Sequence, residues 1–314
     1  AKEAFKGHER YDGIRTGIIA GTSVGGISVS SYESYLKYKK VDINAFTHHS
    51  SGTCTKEIAN ELNIKDFINT ISTACSSSTN AIIMGARMIN NNLLDRVIVG
   101  GMDSLTPFTI NGFSSLMIYD DDFCKPFDQK RNGLNLGEGA GFIVLESDKS
   151  ISVTNKQSIA ILAGWNCSSD AYHQTASSPD GYGATLSMKG ALKSACLKPS
   201  DIDYINAHGT STPNNDLSES QAIINVFRKD KPPFSSTKSY TGHTLAASGG
   251  IEAVFSILAI KNKCLYPNLN FNTTIEETKL NPINKYQQNV DIKHVMSNSF
   301  GFGGNNTTVI FSKV

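Results

Sequence analysis

The stretch FINTISTACSSSTNAIIMGARMIN, residues 67–90, decides the fold class because it joins a strand pattern to a buried-helix pattern through small residues. Phe67–Ile71 has the apolar and β-branched content of a strand. Ser78–Asn90 has helical spacing and few charged side chains, so this helix is expected inside the protein rather than on its surface. A strand, a small-residue turn and a buried helix in this order predict an α/β protein.

The same alternation continues along the chain. Further buried strands are predicted at Thr16–Ala20, Val97–Val99, Gly141–Leu145, Ile159–Leu162 and Val309–Phe311. Further helices are predicted at Leu186–Cys196, Ser218–Phe227 and Gly250–Lys261. Strands that alternate with helices predict mostly parallel sheets covered by helical layers.

Two similar regions follow one another in the chain. The polar stretch Asp148–Gln157 separates them, which predicts an N-terminal half at 1–150 and a C-terminal half at 151–314. Each half has a small-residue turn that leads into a buried helix, TACSSS before Thr79 and HTLAASGG before Ile251. The similarity of these two stretches suggests that the halves arose by an old duplication.

Composition and charge exclude several classes of protein. Lys and Arg number 29 against 28 for Asp and Glu, and this balance argues against a nucleic-acid binder. The six cysteines include no C-x-x-C pair, so they indicate neither a zinc framework nor a disulfide scaffold. No apolar run approaches the ~20 residues of a membrane span, and the N-terminal residues lack the apolar core of a secretory signal. We therefore expect a cytoplasmic protein without a metal site or a membrane span.

Cys75 is the candidate nucleophile. It lies in a turn at the N-terminus of the predicted helix, where unpaired amides and the helix dipole favour a thiolate and lower the pKa of the thiol. The same amides can stabilise an oxyanion that forms on a bound thioester. Taken alone, an inert buried cysteine is the commoner interpretation of such a residue.

Three further motifs bring polar groups to apolar surroundings. His208 follows the apolar run Ile202–Ile205 and is expected at the carboxyl end of a strand, where α/β proteins gather ligand sites. Lys238 and His243 lie in a polar turn that opens an apolar helix. SNSFGFGG at 297–304 sets two phenylalanines among glycines, which predicts a close-approaching loop before the final strand. The ordinary alternatives are a turn-capping histidine, a solvated lysine and a tight hairpin.

Together, a nucleophile, two imidazoles, a lysine and a Gly–Phe loop suit acyl transfer. In this order the motifs resemble those of the elongating (type I and II) β-ketoacyl-acyl-carrier-protein synthases of the thiolase superfamily. Supporting stretches are KPFD at 125–128, RNG at 131–133, GEGAGFIVLE at 137–146 and SSDAYH at 168–173. The two histidines distinguish this type from the initiating synthases, which pair cysteine with histidine and asparagine, and from thiolases, which use a second cysteine.

The resemblance implies both fold and chemistry. The expected fold is a thiolase-like, five-layered α-β-α-β-α sandwich of two related halves. Family members reach a stretch like RTGIIAGTSVGG, at 15–26 here, only after further units, so the N-terminal half is expected to lack its first units. By likeness, Cys75 takes the acyl group, while His208 and His243 bind the malonyl thioester and promote loss of carbon dioxide. The resulting enolate attacks the acyl–Cys75 thioester.

Further residues acquire roles by the same resemblance. Lys238 tunes the charge of the histidines, and Glu252 is a buried structural acid. The amides of Cys75 and Phe302 form the oxyanion hole, and the Phe302 side chain gates the acyl pocket. Thr210 and Thr212 match positions near the pantetheine arm. The candidates for carrier docking are Lys125, Lys130 and Arg131, with Arg131 equally a candidate structural partner of Asp128.

The resemblance also implies partners. The acyl carrier protein, in acyl- and malonyl-loaded forms, supplies the phosphopantetheine, and no dissociable cofactor is expected. The quaternary state is expected to be a homodimer or a heterodimer with a sister ketosynthase-like subunit. The serines after Cys75 are closer to polyketide-like enzymes, such as those of aryl-polyene synthesis, than to housekeeping fatty-acid synthases. The alternative is a non-condensing, chain-length-factor-like subunit, whose usual mark is loss of the nucleophile.

Overall fold

The computed structural model describes residues 1–8, 11–27, 35–39, 46 and 48–314. Within them, the strands are β1 (Thr16–Gly21), β2 (Phe67–Ile71), β3 (Arg96–Asp103), β4 (Gly139–Glu146), β5 (Ile161–Ser169), β6 (Tyr204–Asn206), β7 (Phe234–Ser235), β8 (Cys264–Leu265), β9 (Gln287–Gln288), β10 (His294–Gly301) and β11 (Asn305–Ser312). The α-helices are α1 (Lys2–Phe5), α2 (Ser51–Glu61), α3 (Ser77–Asn90), α4 (Pro107–Ser115), α5 (Asp148–Thr154), α6 (Tyr182–Ser194), α7 (Pro213–Phe227), α8 (Lys238–Thr241) and α9 (Ser248–Asn262). Pro199–Asp201 and Leu245–Ala247 form short 3₁₀ turns.

The described strands form two main sheets, with orders β2-β1-β3-β4 and β5-β11-β10-β6-β7. In the first, β1 runs parallel to β2 and β3, and β4 runs antiparallel to β3. In the second, β6 runs parallel to β7 and β10, and β11 runs antiparallel to β10 and β5. Among the described strands, β4 in the first sheet and β11 in the second run against the others, and four of the seven neighbouring pairs are parallel. The prediction of mostly parallel sheets is therefore confirmed, with one reversed strand in each sheet. Strands covered on both faces have continuous apolar runs whatever their direction, so the sequence pattern could not identify the reversed strands.

Helices occupy three layers around the two sheets. The middle layer holds α3, which packs on β1 and β3, and α9, which packs on β4 and β10. Helix α2 covers the outer side of the first sheet, and α6 with α7 covers the second. The few charges of the two middle helices follow from this position, since Ile82 and Ile83 of α3 are almost completely buried. The predicted five-layered α-β-α-β-α sandwich is confirmed.

The two halves repeat one strand order. Strands β1, β2, β3 and β4 correspond in order and direction to β6, β7, β10 and β11. Helix α3 is the next helix of the middle layer after β2, and α9 is the next after β7. The two small-residue turns noted in the sequence therefore lead into equivalent middle-layer helices.

One stretch of the described chain, Leu245–Asn262, is long and apolar enough to cross a membrane by length and composition. Buried positions make up 61% of it. Because its helix α9 lies between the two sheets, we interpret the stretch as a core helix of this fold.

Candidate active site

Cys75 lies in a tight turn between β2 and α3. Ala74 before it has φ 51°, a left-handed conformation that residues other than glycine adopt only when their surroundings hold them there. The side chain of Ser76 donates to the carbonyl of Thr73 at 2.7 Å, and that of Ser77 donates to the carbonyl of Ala74 at 2.5 Å. These bonds fix the turn and leave Cys75 5% exposed.

Burial raises the pKa of the Cys75 thiol to about 11. The charge of Lys238 and the amides of Phe302 and Cys75 act in the opposite direction but do not offset it. The expectation that the helix N-terminus lowers this pKa is wrong, because desolvation of the thiolate outweighs the amides. Cys75 therefore rests as a thiol, and it could act as a nucleophile only with a proton acceptor beside it.

Two buried imidazoles lie beside each other on the wall of the same pocket as Cys75. His208 comes two residues after the end of β6, as predicted, and His243 follows α8. Their ring centroids are 5.4 Å apart and the rings are nearly perpendicular. Both side chains are almost completely buried, so the bulk solvent is excluded from the space between them.

Both histidines are anchored through Nδ1. Lys238 Nζ lies 3.2 Å from His208 Nδ1, and Ser248 Oγ lies 3.0 Å from His243 Nδ1. An ammonium group can only donate, so His208 Nδ1 accepts and the ring carries its proton on Nε2. Burial lowers the pKa of both histidines well below the usual value, and the charge of Lys238 lowers it further. The two rings are therefore neutral near pH 7.

Lys238 belongs to a buried polar chain that crosses between the two halves. Its ammonium group contacts the carboxylate of Glu252, and both side chains are 2% exposed. Ser299 Oγ lies 3.4 Å from the second oxygen of Glu252, and Thr79 Oγ1 donates to Ser299 at 2.8 Å. Burial raises the pKa of Glu252, while Lys238 acts in the opposite direction. The chain links α3, which follows Cys75, to the ring of His208.

A cavity of about 320 Å³ contains these groups. Its polar lining includes Cys75, His208, His243, Thr210 and Thr212, and its apolar lining includes Phe113, Leu116, Ile118, Leu134, Phe300 and Phe302. The Phe302 ring stacks on Phe113 of α4 with centroids 5.9 Å apart. The hydroxyls of Thr210 and Thr212 bond to each other at 2.8 Å. An apolar wall beside a thiol and two imidazoles suits an acyl chain attached to a reacting thioester.

The Gly–Phe motif forms the end of a hairpin rather than a loop before the final strand. Phe300 lies inside β10, and only residues 302–304 turn before β11. The amide of Phe302 hydrogen-bonds to the Cys75 thiol. A Cβ at Gly301 would lie 3.0 Å from the Thr73 carbonyl oxygen and 3.1 Å from the Cys75 nitrogen. Glycine at 301 therefore lets the hairpin lie directly on the turn that holds Cys75.

Sequence analysis missed two buried carboxylates that hold the His208 loop. The carboxylate of Glu219 accepts from the amides of His208 at 2.9 Å and Gly209 at 2.8 Å. Asp216, one turn earlier on α7, accepts from the amide of Ser211 at 3.1 Å. The available signal was a pair of acids, three residues apart, in a helix that follows directly on the histidine motif.

The stability conferred by Glu219 is expected to depend on pH. Burial raises the pKa of Glu219 to about 7 from 4.5, so the folded protein keeps a proton that the unfolded chain releases. The contribution of Glu219 to wild-type stability should therefore fall as pH rises from about 4.5 to about 7, with a slope approaching about 1.4 kcal/mol per pH unit. Because glutamine does not titrate, the unfolding free energy of Glu219→Gln minus that of the wild type should rise over this window. Denaturant unfolding at pH 5, 6 and 7.5 measures it, and a flat difference would contradict the assignment.

The three candidate docking residues differ in their surroundings. Lys125 Nζ lies 3.7 Å from the Asp122 carboxylate, and the Lys125 side chain is 19% exposed. The guanidinium of Arg131 donates to the carbonyl of Asp128 at 3.0 Å, which agrees with the structural alternative for this residue. Lys130 is exposed. Of the three, Lys130 is thus the one whose charge faces solvent.

Comparison with protein families matches both halves of the chain. Residues 2–150 match the family described as "Beta-ketoacyl synthase, N-terminal domain". Residues 159–272 match "Beta-ketoacyl synthase, C-terminal domain".

Similar proteins carry related names. The chain is 39% identical over 267 residues to "3-oxoacyl-[acyl-carrier-protein] synthase 2" of Staphylococcus aureus strain COL, a match that covers 82% of this chain and 64% of that protein. It is 36% identical over 314 residues to the protein of the same name from Synechocystis sp. PCC 6803, with 95% and 74% covered. The chain thus spans less than two thirds of the length of the staphylococcal relative.

A solved structure has the same fold. It is the "Ketosynthase (ApeO) in Complex with its Chain Length Factor (ApeC) from Xenorhabdus doucetiae", with a TM-score of 0.87 and 35% identity. The match covers all of this chain and 77% of that one. On the evidence of both domain matches, the similar sequences and the shared fold, the chain belongs to the β-ketoacyl synthase family of the thiolase superfamily.

Proposed function

We propose that the chain catalyses the decarboxylative Claisen condensation of an acyl thioester on Cys75 with a malonyl thioester on an acyl carrier protein. One observation carries the proposal: a buried thiol and two neutral imidazoles line one cavity, and both imidazoles are anchored through Nδ1. This arrangement leaves both Nε2 atoms for a substrate. A nucleophile with a neighbouring base and hydrogen-bond donors suits acyl transfer with control of the proton.

In the first step, the Cys75 sulfur attacks the acyl thioester carbonyl, and a sulfur–carbon bond forms while the carrier thiol leaves. Because burial holds the pKa of the thiol at about 11, its proton must pass to a neighbouring base. The neutral imidazole of His243 can carry its own proton on Nδ1 and donate it to Ser248, so its Nε2 accepts the thiol proton and returns it to the leaving carrier thiolate. The amides of Cys75 and Phe302 hold the oxyanion of the intermediate.

In the second step, the bond between the malonyl α-carbon and its carboxylate breaks and carbon dioxide leaves. The electron pair passes into an enolate whose oxygen accepts hydrogen bonds from His208 and His243. These bonds strengthen as negative charge develops, so they stabilise the transition state more than the bound substrate. The enolate carbon then attacks the acyl–Cys75 carbonyl, a carbon–carbon bond forms, and the thiolate of Cys75 leaves and takes a proton from water, which restores the resting thiol. Lys238 keeps the imidazoles neutral between cycles.

The carrier protein brings the phosphopantetheine arm, and the paired hydroxyls of Thr210 and Thr212 at the cavity wall are suited to bind its amides. A second ketosynthase-like subunit completes the assembly, either a copy of this chain or a sister subunit, in the cytoplasm. The similar Xenorhabdus ketosynthase is in complex with a chain length factor, which supports the second arrangement. The intact nucleophile and histidines favour the condensing role for this chain over the non-condensing alternative.

Charge reversal at Lys130 is expected to weaken carrier docking. An exposed cation at an interface mainly affects encounter with an acidic partner, so Lys130→Glu should raise the KM for carrier protein about three- to tenfold and leave kcat unchanged. Lys229→Glu is the matched control, since this exposed lysine lies beyond the far end of α7. Steady-state kinetics with malonyl-carrier protein as the varied substrate measures the effect. Equal KM values for both variants would remove Lys130 from the docking surface.

Product analysis tests the proposed reaction as a whole. The chain is incubated with an acyl-loaded and a malonyl-loaded carrier protein, and the carrier species are followed by mass spectrometry. A carrier-bound β-ketoacyl product two carbons longer than the acyl group is expected. If the acyl group reaches Cys75 but no elongated product forms with any malonyl carrier, the chain is an acyl-binding subunit rather than a condensing enzyme.

A further inference from the structure

The carboxylate of Asp103, at the end of β3, is almost completely buried and accepts hydrogen bonds on both oxygens. One oxygen accepts from the hydroxyl of Thr22 at 2.5 Å and from the amides of Ser23 and Val24, each at 3.1 Å. The other accepts from the hydroxyl of Ser23 at 2.6 Å and from the amide of Ala246 at 2.9 Å. A single side chain thus joins β3 and the loop after β1 to a turn of the C-terminal half.

That turn is Leu245–Ala247, and both polar backbone groups of its middle residue bind the N-terminal half. The amide of Ala246 donates to Asp103, and its carbonyl accepts from the hydroxyl of Ser78. Leu245 has φ 54°, a left-handed conformation that a leucine adopts only when the surrounding structure imposes it. Asp103 and Ser78 supply that constraint by binding the two successive peptide groups on either side of the Ala246 α-carbon.

We call Asp103 and Ser78, with the Ala246 backbone that they bind, the clamp. The turn that it holds lies between the two parts of the chain that fix His243. On one side, the His243 amide donates to the carbonyl of Asn135 at 2.8 Å. On the other side, Ser248, the first residue of α9, bonds to His243 Nδ1 at 3.0 Å. Ser78 is three residues after Cys75 and belongs to the first turn of α3. The clamp therefore connects the helix of the nucleophile directly to the segment that orients His243.

We infer that Asp103 is a positioning residue for His243. Together with Ser78 it holds the backbone of Ala246, so that the imidazole lies beside Cys75 across the boundary between the halves. This inference rests on the proposed function, in which His243 donates to the malonyl enolate. Neither Asp103 nor Ser78 lines the cavity, so both act on the reaction through His243.

Asparagine cannot substitute for Asp103 without disturbing the clamp. Each carboxylate oxygen accepts from at least one backbone amide, and a backbone N–H can donate a hydrogen bond but cannot accept one. Whichever way the side chain of Asp103→Asn is oriented, its NH₂ group must face a backbone N–H. Ser78→Ala removes the other half of the clamp without changing any charge. Thr22→Val is the matched control, because it removes a bond to Asp103 while leaving Ala246 in place.

Hydrogen exchange and kinetics test the inference together. Exchange of residues 243–248 is followed by mass spectrometry in the wild type and the three variants, and kcat and KM are measured for release of carbon dioxide from malonyl-carrier protein. In Asp103→Asn and Ser78→Ala, exchange of this segment should accelerate by about tenfold or more while β10 is unchanged. In both, kcat should fall by about tenfold or more with KM within about twofold. Thr22→Val should match the wild type in segment exchange and in the kinetic constants.

The outcomes separate this inference from the proposed function. Wild-type exchange of 243–248 in Ser78→Ala or Asp103→Asn would overturn the clamp, as would an unchanged kcat in a variant whose segment exchanges faster. A fall in kcat for Thr22→Val equal to that for Asp103→Asn would also overturn it, because the effect would then belong to the loop after β1. If the wild type releases no carbon dioxide but the two clamp variants exchange faster, the clamp stands and the proposed function fails. Ser78→Ala carries the test if Asp103→Asn does not fold.

Discussion

Cys75→Ala is expected to abolish covalent acylation of the chain and to lower the rate of condensation by a factor on the order of 10⁴ or more. Without the sulfur there is no covalent acyl intermediate for the enolate to attack. Decarboxylation of the malonyl carrier should persist within about tenfold of the wild-type rate, because the enolate oxygen is stabilised by the histidines rather than by the thiol. The two half-reactions should therefore separate in this variant.

Intact-mass measurement after incubation with acyl-carrier protein reports the first half-reaction, and release of carbon dioxide from malonyl-carrier protein reports the second. Cys264→Ala is the matched control, since Cys264 is a buried thiol in β8 that does not line the cavity. It should be acylated like the wild type. An acyl adduct on the Cys75→Ala protein would show that another residue is the nucleophile.

Lys238→Met is expected to cost about 3–5 kcal/mol of unfolding free energy, because it leaves the carboxylate of Glu252 buried without its partner. Methionine has a similar length, so the cost arises mainly from the uncompensated charge rather than from a cavity. The double variant Lys238→Met/Glu252→Gln should recover most of this loss, since both charges are then absent. His208 also loses the donor to its Nδ1 in both variants, so activity should fall in both.

Denaturant unfolding of the wild type, the single variant and the double variant measures this coupling. Lys149→Met is the surface control: its ammonium group lies 3.3 Å from Asp95 and its side chain is 56% exposed, so it should cost no more than about 1 kcal/mol. A loss for Lys238→Met as small as that of the control would contradict a buried ion pair. So would a double variant less stable than Lys238→Met.

Local sequence patterns were sufficient to predict the strands and the helix that hold Cys75 and His208. The prediction of a strand at Phe67–Ile71 agrees with the bounds of β2, and helix α3 begins one residue before the predicted start. His208 follows β6 as the apolar run before it indicated. These features depend on nearest neighbours along the chain: alternation or continuity of apolar residues, small residues at turns, and polar residues where a strand ends.

Features that depend on distant contacts could not be predicted in this way. The pKa of Cys75 is raised because the β10–β11 hairpin and the C-terminal half bury the turn, although the helix beside it pointed to a lower value. The amide acceptor Asp103 is a single acid whose partners lie on other elements. The salt bridge between Lys125 and Asp122 likewise depends on how a loop folds. Composition and spacing carry no signal for such contacts.

Release of carbon dioxide from malonyl-carrier protein by the wild type, His208→Ala and His243→Ala tests the central claim most directly, with acylation of Cys75 followed in the same samples. The account predicts that the wild type releases carbon dioxide. Each histidine variant should release it at least about a hundredfold more slowly, since each removes one donor to the enolate oxygen. Acylated Cys75 should still be detectable in both variants. Release at the wild-type rate in either variant, or a wild-type protein that is acylated at Cys75 yet releases no carbon dioxide, would contradict the account.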